Sequence, residues 1–227
     1  MSDDPIIIVG GGIGGIAAAL ALSQKGRTVQ LLEQASAFGE VGAGIQLGPN
    51  VFKMFKVLGV TDAISDASVF PDYLVMRDAL SGDDISRVPV GSDGFRARYK
   101  NPYGVIYRPD LHNALMAACA DSPLITLKAN QKVTGFEDTG AKVRVSTEDG
   151  ATYEGSALIG ADGLWSSIRQ KLVGDGAPRV SGHIAYRAVL PTEEVPEHIQ
   201  QKNAVLWAGP KIHLVHYPLR RGEIYNI

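Results

Sequence analysis

Apolar residues follow two rhythms along this chain. Ile6 to Val9 is a short continuous apolar run, which predicts a buried strand. Glycines follow at once, then the alanine- and leucine-rich segment Ile16 to Gln24, which predicts a helix ended by Gly26. Thr28 to Leu32 predicts a second buried strand, so the chain opens as a β-α-β unit, the usual start of a doubly wound sheet. Residues 38–48, with four glycines, are expected to form a loop, and Asn50 to Leu58 a helix with Phe52, Phe55 and Leu58 on one side. Strands are expected over Tyr73–Met76 and Ile85–Val90, joined by the turn Ser81–Asp84. A helix is expected from about Asp110 to Ala120, then strands at Leu124–Ala129, Val143–Thr147 and Ala151–Tyr153, with Asp149–Gly150 as a turn. Ala157–Gly160 reads as a short buried parallel strand, and a helix runs from about Ser167 to Leu172.

Beyond Gly174–Pro178 the pattern changes. His183–Leu190, Ala204–Trp207, Ile212–Tyr217 and Glu223–Ile227 are expected to be strands of a different, mostly antiparallel sheet. The expected fold class is therefore α/β with a second, mostly antiparallel β domain. Residues 1–175 form the first domain, with β elements inserted around 70–107, and 176–227 begin the second. The last strand is read as the edge of an unfinished sheet, whose unpaired N–H and C=O groups argue for a longer polypeptide.

The formal charge of -2 provides no basic field for nucleic acid or an anionic membrane surface. No apolar run reaches the roughly 18 residues needed to span a bilayer, and a reduced, cytoplasmic setting is expected. A lone cysteine, Cys119, has no partner for a disulfide, and the spacing of Leu111, Leu115 and Cys119 places it on a buried helical stripe. No histidine has the spacing of a metal ligand, so no metal is expected.

The candidate chemistry begins at Gly10, Gly12 and Gly15, which spell G-x-G-x-x-G between the first strand and the first helix. Such a turn lets the backbone approach a pyrophosphate, whose charge suits the N–H groups at a helix N-terminus. Glu33 ends the second strand, 23 residues after Gly10, where a carboxylate can accept bonds from ribose hydroxyls. These residues point to a dinucleotide. By themselves they do not choose between FAD and a nicotinamide nucleotide.

Four blocks, IIIVGGGIGGIAAALALSQKGRTVQLLEQ, GEVGAGIQLGPN, YRPDLHNAL and ALIGADGLWSSIRQ, occur in the order and at the spacing of the single-component aromatic-ring hydroxylases, which the chain resembles throughout. The resemblance implies a p-hydroxybenzoate hydroxylase-like fold, incomplete at the C-terminus, with one FAD, and NADH or NADPH as electron donor. It implies that Gly10, Gly12, Gly15 and Glu33 bind the ADP half, and that Arg108 contacts the ribityl-pyrophosphate region. It also implies that Asp162 and Gly163 serve both FAD and the nicotinamide nucleotide, with Arg169 in the same block. For Asp162, a helix cap or Asx turn is an equally compatible role. A third family motif, a Gly-Asp pair, is not found before Ile227 and is expected further along.

In KIHLVHYPLRRGE, alternation puts His213, Val215 and Tyr217 on one face of a strand and Leu214 and His216 on the other. His213 and Tyr217 would lie roughly 13 Å apart, enough to bracket one substituted aromatic ring. By resemblance they match residues that hold a substrate's phenol hydroxyl. His213 would act as base, since a histidine near its usual pKa of ~6.5 can draw the phenolic proton, while Tyr217 orients the same oxygen. The implied partners are O₂ and a small aromatic acid such as 3-hydroxybenzoate, with salicylate and 6-hydroxynicotinate as alternatives, and a homodimer is expected. A flavin-binding polypeptide without catalysis and a nicotinamide dehydrogenase are the readings from other classes.

Overall fold

The computed structural model describes residues 4–39 and 42–227, so Glu40 and Val41 of the second block lie outside the described residues. In chain order the elements begin with β1 (Ile6–Val9), α1 (Ile13–Ser23), β2 (Val29–Leu32), β3 (Gly44–Leu47), α2 (Pro49–Leu58) and α3 (Thr61–Ala67). Next come β4 (Leu74–Asp78), β5 (Asp84–Val88), α4 (Asp93–Tyr99), β6 (Gly104–Tyr107) and α5 (Arg108–Ala120). Then follow β7 (Ile125–Lys128), β8 (Val133–Asp138), β9 (Val143–Thr147), β10 (Thr152–Gly155), β11 (Ala157–Gly160) and α6 (Ser167–Val173). The run closes with β12 (Val189–Pro191), β13 (Ala204–Gly209), β14 (Ile212–Leu219) and β15 (Ile224–Asn226). No helix among the described residues is long and apolar enough to cross a membrane.

Two compact units form, one from residues up to 40 and 112–183, the other from 41–111 and 184–227. The first unit carries a parallel sheet in the order β11-β1-β2-β7. Its central strand β1 is a continuous apolar run, as expected where both faces of a strand are covered, and Ile7, Ile8, Leu31 and Leu32 are fully buried. Helix α1 lays Ile16, Ala19 and Leu20 into this core. Leu111, Leu115 and Cys119 are buried as their four-residue spacing predicts, and burial pushes the Cys119 thiol up to about 11. An antiparallel meander, β10-β9-β8, packs Val145, Phe136 and Tyr153 against Ile7 and Ile168.

The second unit carries a six-stranded sheet in the order β12-β15-β14-β13-β4-β5, antiparallel except for β13 against β4, and a two-stranded pair β3-β6. Its core gathers Val69, Val105, Ala204, Tyr217 and Leu219. This division differs from a single boundary near residue 176. Val75 is paired in register with Val205, so residues 130 positions apart in the chain share one sheet.

Several local expectations are corrected. The stretch 38–48 is not all loop, because Gly44–Leu47 pairs with Gly104–Tyr107. Residues 183–188 are not strand, and regular pairing starts only at Val189. Strands β6 and β8 and helices α3 and α4 carry too short or too polar a pattern to stand out. Strand β15 is not an edge either: β12 and β14 flank it on both sides, so the argument from an unpaired last strand fails.

Candidate functional site

In the first unit, β1 and β11 run parallel, with Val9 opposite Gly160, and both open at their carboxyl ends into glycine-bearing turns. This is where open α/β sheets bind ligands. Gly10 has φ +108°, and a Cβ there would stand 2.3 Å from the carbonyl oxygen of Ala161. At Gly15 a Cβ would stand 1.9 Å from the carbonyl oxygen of Gly10. Both glycines are therefore required by the backbone itself. Gly12 is different. Nothing among the described residues lies within 4 Å of its Cβ position, and it starts α1 without a side-chain cap or an acidic residue in the first turn. Open space before uncapped N–H groups is what a pyrophosphate requires.

Glu33 closes this loop from β2. Its Oε2 accepts the Gly11 N–H at 2.6 Å and its Oε1 accepts the Ala35 N–H at 2.8 Å. Each oxygen retains a further lone pair for a ribose hydroxyl. His112, which sequence reasoning set aside as no metal ligand, is fully buried, with Nε2 2.8 Å from the Gly11 carbonyl oxygen. Since a carbonyl only accepts, Nε2 carries the proton and His112 fixes the loop from α5. The only sequence signal was a histidine on an otherwise apolar helix stripe.

Asp162 caps α6. Its Oδ1 accepts the Ser166 hydroxyl at 2.5 Å, and its Oδ2 accepts the Ile168 N–H at 3.2 Å. Burial pushes this carboxyl up, but the bonds from Ser166 and Ile168 outweigh it and hold the group below the usual carboxylate range. Gly163, at φ +79°, makes a left-handed turn that glycine adopts without strain. Arg169 is exposed and paired with Asp175, which raises its pKa through that bond.

In the second unit, Arg108 starts α5 against Gly42, where a Cβ would lie 3.0 Å from that of Arg108. Tyr217 lies against Gly44, whose missing side chain makes room for the ring: a Cβ would stand 2.4 Å from Tyr217 Cε2. The Gly44 N–H in turn donates to Asn226 Oδ1 at 2.7 Å. Burial first, and the nearby Tyr103 phenol second, push Tyr217 up to about 12, so it stays a hydrogen-bond donor at neutral pH.

His213 and Tyr217 are not brought to one cavity. His213 is exposed and borders an apolar cavity of ≈ 450 Å³ with Leu214, His216, Trp207 and Tyr225. His216 is buried there, accepting the Trp207 indole N–H at 3.0 Å, and burial, then Arg77, lowers its pKa. On Tyr217's face a smaller cavity of ≈ 230 Å³ is bordered by Val215, Leu206 and Gln46.

The sequence pattern of the FAD binding domain matches residues 3–207. The chain belongs to the FAD binding domain family. Among curated relatives, the 3-hydroxybenzoate 6-hydroxylase of Polaromonas naphthalenivorans (strain CJ2) is 45% identical over 226 residues, 100% of this chain and 56% of that protein. The 6-hydroxynicotinate 3-monooxygenase of Pseudomonas fluorescens is 38% identical over 231 residues, 100% of this chain and 59% of its own length. The chain thus spans little more than half the length of these relatives. The crystal structure of Klebsiella pneumoniae HpxO complexed with FAD and uric acid superposes with a TM-score of 0.82 at 24% identity, covering 98% of this chain and 55% of that one. That likeness shows the fold. It agrees with the α/β architecture expected, a parallel sheet and a second, mostly antiparallel one.

Proposed function

We propose that the chain holds the ADP half of FAD on the loop Gly10–Gly15 and serves the hydroxylation of a small phenolic acid, 3-hydroxybenzoate to 2,5-dihydroxybenzoate. The balance is one ring C–H, one O₂, one NADH or NADPH and one proton giving a ring C–OH, one water and the oxidised nucleotide. The observation that carries the flavin reading is the contrast at the loop. Gly10 and Gly15 leave no room for a Cβ, while Gly12 faces open space at an uncapped helix start. The acid is inferred from relatives named 3-hydroxybenzoate 6-hydroxylase at 42–45% identity. FAD, when bound, would supply the redox and oxygen-activating chemistry, with the nicotinamide nucleotide as its source of electrons.

The remaining work falls to side chains. Glu33 takes the ribose hydroxyls, Arg108 the ribityl-pyrophosphate, and Asp162, Gly163 and Arg169 serve the flavin and its reduction. Tyr217, held protonated, donates to the substrate's phenolic oxygen. By resemblance, His213 is the residue proposed to take the phenolic proton and enrich the ring para to the oxygen, although in this structure it borders a different cavity from the one on Tyr217's face.

The test is stopped-flow spectroscopy of flavin-loaded His213→Ala with 3-hydroxybenzoate. Flavin reduction should stay near normal, while hydroxylation slows by ~10²–10⁴-fold and O₂ is diverted to H₂O₂. An unchanged hydroxylation rate would remove His213 as the base. A preferred turnover of 6-hydroxynicotinate would keep the flavoprotein and change the substrate.

A further inference from the structure

Within the first unit Gly11 is held on three sides. Its N–H donates to Glu33 Oε2 at 2.6 Å, and its carbonyl oxygen accepts from His112 Nε2 at 2.8 Å. On the third side stands the ring of Phe38, which a Cβ at Gly11 would approach to 2.6 Å. The bond from His112 asks for an explanation. On the buried side of α5, with Leu115 and Cys119, an apolar side chain would serve packing, yet this position carries a fully buried imidazole. Its Nδ1 is buried too and has no partner among the described residues. An unpaired buried nitrogen opposes folding, so packing alone does not account for the residue. What the imidazole adds over a leucine is one N–H, given to the Gly11 carbonyl.

That carbonyl belongs to the peptide unit whose N–H is that of Gly12. Every described peptide is trans, and in a trans peptide the C=O and N–H point in opposite directions. With the oxygen turned toward α5, the Gly12 N–H is turned away from it. This N–H finds no partner among the described residues, and it stands at the uncapped start of α1, beside the open space at Gly12. Glycines flank the unit on both sides, so little else resists its rotation. Reversed, it would present a carbonyl oxygen to an anion in place of an N–H. A donor on the oxygen also polarises the unit and strengthens its N–H. Helix α5 is itself fastened here a second time: the Cys119 thiol lies 3.6 Å from the Ile16 carbonyl oxygen, two helical turns on from His112.

We propose that His112 is a positioning residue for the pyrophosphate: it locks the Gly11–Gly12 peptide with its N–H toward the phosphate and primes that N–H as a donor. The inference rests on the flavin reading above and deepens it. His112 acts through the loop backbone, from the side opposite the anion.

Proton–nitrogen NMR of the full chain, with and without FAD, reads this directly. In the wild type, FAD should move the Gly12 amide proton downfield and the His112 Nε2–H with it, because a phosphate at one end of the peptide strengthens the bond at the other. His112→Leu should weaken FAD about 10-fold in calorimetric titration and abolish the Gly12 shift. His112→Gln, which keeps an N–H at similar reach, should stay within about threefold of wild type and restore that shift. Thermal unfolding of the flavin-free variants reports folding, and if the leucine variant does not fold, the wild-type resonances decide. A His112 Nε2–H unmoved by bound FAD, or leucine and glutamine variants that lose affinity equally, overturns the assignment while the flavin reading stands. Wild-type protein that binds no FAD sinks the flavin reading, and the role of His112 with it.

Discussion

A methyl group placed on Gly15 would stand 1.9 Å from the carbonyl oxygen of Gly10, while one placed on Gly44 would stand 2.4 Å from the ring of Tyr217. The two clashes are of similar depth but different kind. At Gly15 both partners are backbone, packed between β1 and α1, and neither can move without opening the strand-helix turn. At Gly44 the partner is a side chain, which can rotate away at the expense of its own packing. The dinucleotide loop is thus specified by main-chain geometry, with Glu33 and His112 fastened to Gly11 from either side. The tyrosine face of β14 is specified by side chains, namely Tyr217, Tyr103, Gln46 and Asn226, drawn from four places in the chain. A site made from backbone fails as a whole, whereas one made from side chains can be retuned.

The largest effect should come from Gly15→Ala. Overpacking against backbone should cost about 3 kcal/mol of stability, and flavin should be lost with it. Thermal unfolding and the visible flavin spectrum read both, and a yellow protein of wild-type stability would show that the loop can yield after all. Gly44→Ala should be milder, about 1–2 kcal/mol, because Tyr217 can turn. Its signature should be selective: affinity for 3-hydroxybenzoate falls more than affinity for FAD. The reverse order would place Gly44 with the flavin site and erase the contrast. Glu33→Ala should be the smallest, about 1 kcal/mol or roughly fivefold in FAD affinity, since water can reach the freed Gly11 and Ala35 N–H groups. Flavin titration of the apoprotein measures it. An unchanged Kd would mean the carboxylate only braces the loop.

Much of the first unit was legible beforehand. Buried parallel strands are continuous apolar runs, and the glycine spacing, Glu33 and the helical stripe through Cys119 all lie in contiguous stretches whose period carries the information. The second unit was read less well. His183–Leu190 alternates like a strand, yet only its end from Ala188 onward pairs with the last strand, while Gly44–Leu47 looked like loop because glycines surround it. Polar residues misled in both directions. Asp162 and Arg169 carry the family block, and the structure shows them also engaged with Ser166 and Asp175.

What the chain determines by itself are features within reach of local periodicity and steric rule: the opening β-α-β unit, the tight glycine turn, the carboxylate at the end of β2, and which face of β14 holds Tyr217. Only the tertiary structure decided that residues 74–78 join 204–208 in one sheet, that β15 lies inside that sheet, and that Tyr103 packs on the core of Tyr217 while bonding Gln46. Those pairings join residues about 60 to 180 positions apart. Local patterns do not encode which distant segment supplies the partner, because that choice is made by burying apolar faces together and satisfying every backbone N–H and C=O in the folded chain.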